Sequence, residues 1–298
     1  MYSSVGLLKN AKKSGRLIGT HQKLDRVARR KLGTLLRKKD FFPSIEMILN
    51  FEGNRGPDGL KTKSPGVDEP MHMILPDDDD GVLRELIQNH LYNLRQALLG
   101  DNRSYEGIYQ GKKQSKTLKK STKPDVSRAA FEAAWLAHSV VDGLTPPHHF
   151  PYQEAVNELM SDQEYVKIFG QPVKGIMPGH NFSEKARNNW LYLGPEGYMT
   201  KHIAFEYGAA LLARSMSYRS LTPKITLAEL KKLDPIDEFY KTLHKINERD
   251  IYTRFRRYGW TRDLANECRH LLLPEMVRMI IIAWFAAIPR EKNYAKKR

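Results

Sequence analysis

Residues 134–150 read AWLAHSVVDGLTPPHHF. The apolar half of this stretch predicts a helix, and Gly143 with the Pro146-Pro147 pair predicts its end. Phe131, Trp135, His138 and Asp142 recur at i, i+4, i+7 and i+11, so all four fall on one helical stripe that faces the interior. His138 and Asp142 are therefore an imidazole and a carboxylate placed one turn apart where water does not reach. Leaving such groups unpaired costs roughly 1–3 kcal/mol or more each. A lone histidine on an apolar face is commonly a satisfied core residue, but this stretch brings a third ligand type. His148 follows Asp142 by six positions, after the two prolines have turned the chain back. Three ligand-type residues in eleven positions, across a helix end and a rigid turn, point to a divalent metal as the missing partner.

Outward from this segment, helical periodicity dominates and strand signals are scarce. His21 to Leu36 reads as a basic amphipathic helix. Asp79 or Asp80 is placed to cap the next one, with Leu83, Leu86, Ile87, His90, Leu91, Leu94 and Leu98 on one face and Gly100 as its stop. The run Asp77–Asp80 reads as an acidic cap of that helix in preference to a calcium site. Ser127 is placed to cap the central helix. Further helices are expected near 153–168, 183–191, 200–218, 226–248 and 274–288, while 51–80 and 111–124 read as loops. The expectation is an all-α fold, one multi-helix domain over 1–298 with an insertion at 150–199.

Composition sets the outer bounds. The chain has 298 residues, of which 41% are hydrophobic and 28% charged, the balance of a globular protein able to bury a core. Cys268 is the single cysteine, which excludes an intrachain disulfide and any cysteine-rich zinc module. A metal would be held by His, Asp and Glu. The first twenty residues carry no signal-peptide pattern, and the apolar run from Met279 to Ile288 is shorter than the about 20 residues of a bilayer crossing. The expectation is a soluble, cytoplasmic protein. A net charge of +15 favours polyanions, nucleic acid or an anionic membrane surface. Lys112, Lys113, Lys116, Lys119, Lys120 and Lys123, with Lys296, Lys297 and Arg298, read equally as a solvated loop and a charged terminus.

The pattern His138-x3-Asp142-x3-Pro146-x-His148 resembles the central motif of the zinc-dependent phospholipase C and single-strand-specific nuclease superfamily. The resemblance implies an all-helical domain with a three-zinc cluster at the base of a cleft, in which Asp142 bridges two zincs. It implies that His148 joins a further His-x3-Glu pair, and the chain has two: His180/Glu184 and His202/Glu206. The second pair starts a helix whose Ile203, Leu211 and Leu212 recur at helical spacing, with Phe205 just before the Glu, and is preferred. The family also places an Asp upstream of a His. Asp58 and His72, with thirteen residues between them, match that spacing better than Asp68, only four before His72. His21, heading GTHQKLDRVARR, matches the histidine of the family's first helix. The family completes its third zinc site with the amino group of an N-terminal Trp. No Trp stands near the start of this sequence, and Asp25, at i+4 from His21, is the candidate substitute. MVRMIIIAWFAAI, residues 276–288, resembles the family's closing apolar helix.

The ligand set implied by the resemblance is thus His21, Asp58, His72, His138, Asp142, His148, His202 and Glu206, holding two or three Zn2+ ions. Asp58 would also orient or deprotonate the attacking water, whose pKa zinc can lower to about 7. The implied activity is hydrolysis of a phosphodiester by a zinc-activated hydroxide. Two substrates compete: a phospholipid, which the TPPHH turn resembles slightly more, and single-stranded nucleic acid. A third reading is a non-catalytic binding protein with a structural zinc site, which would need only four ligands.

Overall fold

The computed structural model of the chain describes residues 19–37, 41–52, 56–57, 74, 76, 82–100, 108–109, 112–113, 124–149, 177 and 179–289. These residues form an all-α fold, with one small exception. Ile108–Tyr109 and Lys112–Lys113 pair as two-residue antiparallel strands, the second of them at the start of the expected loop 111–124.

The helices, in chain order, are α1 (Thr20–Leu36), α2 (Ile45–Leu49), α3 (Val82–Leu99), α4 (Val126–Gly143), α5 (Phe182–Leu193), α6 (Tyr198–Ser215), α7 (Tyr218–Leu221), α8 (Leu227–Leu230), α9 (Pro235–Asn247), α10 (Ile251–Tyr258), α11 (Arg262–Glu267) and α12 (Leu273–Ala287). A 3-10 turn, Pro146–His149, follows α4, and a π segment, Cys268–Leu272, joins α11 to α12.

Helix α4 is the axis of the fold. Every residue from Arg128 to Gly143 is buried, so the interior stripe read from the sequence is one part of a helix covered on all sides. Ala129, Ala130, Ala133, Ala134 and Ala137 make this tolerable, because small side chains let neighbouring helices approach. Helices α2, α3 and α12 pack on it, and α1 lies against α12. The Trp284 indole N–H on α12 donates to the carbonyl of Ala133 at 2.9 Å, which satisfies the one polar atom of a fully buried ring. Asp125, not Ser127, caps α4: its carboxylate accepts from the Arg128 amide at 3.0 Å. Gly100, at φ 71°, ends α3 in the left-handed conformation that glycine adopts without penalty.

The expected helix over 226–248 is two. Thr226 and Glu229 form a reciprocal capping box on α8. Asp234 then caps α9, accepting from Ile236 and Asp237 amides ahead of which Pro235 sits at a position that needs no N–H. The π segment has a related cause. Pro274 has no amide to offer the His270 carbonyl and its ring would crowd that oxygen, and the helix widens just before it. Arg262–Ala287 is consequently a continuous run of 26 residues, long and apolar enough to cross a bilayer, but 67% of its most apolar window is buried inside the fold.

Helix α6 is anchored from outside by Trp260. Its indole stacks on Phe205 with ring centroids 5.1 Å apart and donates to the Ala204 carbonyl at 3.3 Å. A Cβ on Gly208 would lie 2.0 Å from Trp260 Nε1. Gly208→Ala is therefore expected to destabilise the fold by about 1–3 kcal/mol through overpacking, lowering the thermal midpoint by about 2–10 °C. A melting curve unchanged from wild type would show that the indole moves aside freely.

The expected helix at 183–191 is α5. The expected helix at 153–168, most of the proposed insertion, the Asp77–Asp80 cap and the lysines from Lys116 to Lys123 lie outside the described residues.

Candidate metal centre

Five structural elements supply two neighbouring clusters of ligand-type side chains. His21 lies in the first turn of α1, His138 and Asp142 in the last two turns of α4, and His148 in the 3-10 turn. His202 and Glu206 sit one turn apart on α6, and Glu52 follows α2. The turn is held in place by Thr145, whose hydroxyl donates to the Val141 carbonyl at 2.7 Å, and by His149, whose Nε2 lies 2.9 Å from the Gly143 carbonyl oxygen. Pro146 and Pro147 fix the chain between those ties, so that His148 points back toward the end of α4.

Both oxygens of the fully buried Asp142 are engaged by imidazoles. His21 Nε2 lies 3.2 Å from Oδ1 and His138 Nε2 lies 3.1 Å from Oδ2. The two rings are stacked, with centroids 3.9 Å apart and planes 4° from parallel. On its other edge, His138 Nδ1 lies 3.4 Å from Glu52 Oε1. A second cluster stands beside the first. His148 Nε2 and His202 Nε2 approach the same oxygen, Glu206 Oε1, at 3.1 and 3.2 Å. The negative charge of Asp142 is felt at His148, which links the two groups.

These distances carry chemical information. Donor atoms on one tetrahedral zinc, each about 2.0–2.1 Å from it, stand about 3.3 Å apart. The contacts of 3.1–3.4 Å match that spacing, and three of them equally match a hydrogen bond between imidazole and carboxylate. Within each of two sets, His21/Glu52/His138 and His148/His202/Glu206, one ligand atom per residue lies within 4.8 Å of the others. Each nitrogen of His138 faces a carboxylate oxygen, yet a neutral imidazole has a single N–H. One of those contacts then sets a lone pair against an anion, a conflict that either a proton on the ring or a metal cation resolves. The residues present thus fit a divalent metal.

Burial sets the protonation states a metal requires. It pushes His148 down to about 3 and His149 down to about 4, so both are neutral at physiological pH. His21 is lowered by burial and by the neighbouring His138 ring, against the opposing pull of Asp142. Burial pushes the Glu206 carboxyl up, but the charges of the chain's amino terminus and of His202, with hydrogen bonds from His148 and His202, outweigh it and hold the group well below the ordinary carboxylate range. Neutral imidazole and ionised carboxylate are the ligating forms.

Six of the eight expected ligands, His21, His138, Asp142, His148, His202 and Glu206, come together in this way. Asp58 and His72 lie outside the described residues, as does Asp68. Their described flanks reach the cluster from two sides. Gly56 and Pro57, just before Asp58, are buried, and Gly56 packs so closely that an added Cβ would meet the Phe51 carbonyl oxygen at 2.6 Å and Glu52 Cα at 2.9 Å. Ile74, two residues after His72, is buried and its amide donates to the His148 carbonyl at 3.1 Å.

The competing pair His180/Glu184 has a different task. The Glu184 carboxylate accepts from the exposed His180 amide at 2.9 Å, and Asn181 accepts from the Glu184 amide at 2.9 Å, which together close the N-terminus of α5. His202→Ala is accordingly expected to lower metal content more than His180→Ala does. Elemental analysis of the two variants checks this, and a larger loss in His180→Ala would reverse the choice of pair.

Sequence reasoning missed Glu52 and His149. Glu52 comes just after a five-residue helix with no ligand-type residue at helical spacing, and only the packing of α2 on α4 brings it to His138. His149 is adjacent to a ligand candidate but turns to the Gly143 carbonyl.

No family model matches the chain. It also matches no curated protein and no solved structure.

Proposed function

We propose that this chain is a zinc-dependent phosphoric ester hydrolase of the phospholipase C type. The observation that carries the reading is a pair of buried ligand clusters, His21 and His138 on Asp142, and His148 and His202 on Glu206, joined through the effect of Asp142 on His148. A closed structural site is complete with four ligands, and this chain assembles more than that around two foci. His138, with His21 and Glu52, would hold one ion, and His148, His202 and Glu206 another. Zinc supplies Lewis acidity toward a phosphoryl oxygen and acidifies water. The protein's own part is to keep the imidazoles neutral by burial, to fix their ring planes by stacking, and to present Asp142 between the two sets. Asp58 is assigned the role of accepting the proton of the attacking water.

A lipid substrate is favoured over nucleic acid by the surface beside the site. Ile203 and Tyr207, next in sequence to His202 and Glu206, are exposed, and so are Leu211 on α6 and Phe182, Trp190, Leu191 and Leu193 on the adjoining α5. These two helices carry most of the exposed large hydrophobic residues among those described. Exposed apolar side chains on the helix that carries His202 and Glu206, and on its neighbour, suit a substrate held in an interface. The net charge of +15 suits an anionic one.

The test is hydrolysis by zinc-loaded protein of phospholipid vesicles and of a single-stranded oligonucleotide in parallel. Release of phosphorylated headgroup with the oligonucleotide left intact is the expected result. Cleavage of the oligonucleotide alone would move the assignment to the nuclease branch, and turnover of neither would leave a metal-binding protein without this activity.

A further inference from the structure

Helix α6 is apolar on two faces. Phe205, Ala209 and Ala213 are buried against the core, while Ile203, Tyr207 and Leu211, at i, i+4 and i+8, are exposed along another stripe. Helix α5, which packs on α6, exposes Phe182, Trp190 and Leu193, at i, i+8 and i+11 on one face. At 88% and 68%, Phe182 and Trp190 are the most exposed large hydrophobic residues among those described. The stripe on α6 then runs into positive charge. Arg214, at i+11 from Ile203, continues it in the last turn, and the chain from Tyr207 to Ile225 contains no acid. Helix α1 brings more cations to the same end of α6. Lys23 Nζ donates to the Met216 carbonyl, just past α6, at 3.2 Å. Lys23 Nζ and the Arg30 guanidinium stand 5.5 and 4.9 Å from the centre of the Tyr218 ring. The charge of Arg26 is also felt at Tyr218. Asp25, the one acid of α1, is buried, and no ion pair engages Lys23, Arg26, Arg30 or Arg214 among the described residues. Like charges gathered without carboxylates repel one another, and an anionic partner removes that repulsion.

We propose that this side of the molecule docks on an anionic phospholipid surface, with the exposed faces of α5 and α6 in the boundary between headgroups and acyl chains and Arg214, Arg30, Arg26 and Lys23 on the lipid phosphates. Trp190 and Tyr207 are of the types that settle at headgroup level. Ile203, Leu211 and Leu193 partition into acyl chains but offer a nucleobase no ring to stack on. A second copy of this chain, paired through the same face, would bring the same cations to the contact. Basic side chains beside an apolar stripe are the combination that holds a helix on an anionic bilayer. The inference rests on the lipid-hydrolase reading for its choice of polyanion. It adds the basic end of α6 as a binding surface, separate from the ligand side chains.

The test measures binding without turnover. Full-length, zinc-loaded protein is sedimented with vesicles of phosphatidylcholine, alone or with about a third phosphatidylserine. Wild type is expected to bind the anionic vesicles at least about 10-fold more tightly. Arg30→Gln/Arg214→Gln should lower that binding about 10-fold or more, while Arg30→Lys/Arg214→Lys retains it, which separates charge from a structural role. Phe182→Ser/Leu211→Ser should lower it on the order of 10-fold, with unchanged circular dichroism. Wild type without preference for anionic vesicles, or wild-type binding by both the glutamine and the serine variants, overturns the proposal. Binding to a single-stranded oligonucleotide in place of vesicles also overturns it. So does a solution dimer without vesicle binding that Phe182→Ser/Leu211→Ser dissociates. Hydrolysis of a dispersed short-chain phospholipid is followed alongside. Hydrolysis without vesicle binding removes this surface and keeps the enzyme reading, whereas vesicle binding without hydrolysis keeps the surface and removes that reading.

Discussion

Asp142→Asn is expected to abolish most metal binding at the centre and to lower phosphodiester hydrolysis on the order of 10³-fold, several kcal/mol of lost metal-ion stabilisation. Asp142 ties the two stacked imidazoles together. Its two oxygens lie 3.2 and 3.1 Å from His21 and His138, and its charge reaches His148. Asparagine has nearly the same shape but replaces one acceptor by an NH2 donor, which would face an imidazole nitrogen or a cation where an anion belongs. The helix is capped at its other end and buried from Arg128 onward, so secondary structure should survive. Metal content, rate and circular dichroism on one preparation check this. A variant with full zinc and normal rate would remove Asp142 from its central place.

Asp58→Asn is expected to act differently, cutting the rate roughly 10²-fold or more while most of the zinc stays bound, the usual scale for losing a positioned acid/base group. The remaining ligands hold the metal, and asparagine keeps one oxygen, but the charge that attracts the water's proton is gone. Rate and zinc must again be measured together. Normal turnover would make Asp58 a loop residue and pass the role to Asp68. Loss of zinc and fold together would make it structural.

How much of this was legible in the sequence depends on how local each feature is. The ends of α4, the turn through Pro146 and Pro147, and the i+4 pair on α6 are set by neighbouring residues, and periodicity with proline and glycine punctuation exposes them. That His202 rather than His180 reaches His148 was readable because a pair inside an established helix projects from one face, whereas His180 precedes its helix. The full burial of α4 was less visible. Its polar residues Arg128, Glu132 and Ser139 suggest a solvated face, and only the tertiary contacts with α3 and α12 cover them. Glu52 was invisible for the same reason: its role is fixed by a contact across eighty-six positions of chain, for which no spacing rule exists. The break between α8 and α9 was readable in principle, since Asp234-Pro235 is a cap followed by a residue that starts helices.

The most direct measurement is the zinc content of the wild-type chain, purified in zinc-containing buffer and then freed of loosely bound ions. Two separate sets of His and Glu ligands predict at least two zinc ions per chain, and Glu206→Gln should hold fewer. Less than one zinc per chain would contradict the account, because the buried imidazoles and carboxylates around Asp142 would then have to be satisfied by one another alone.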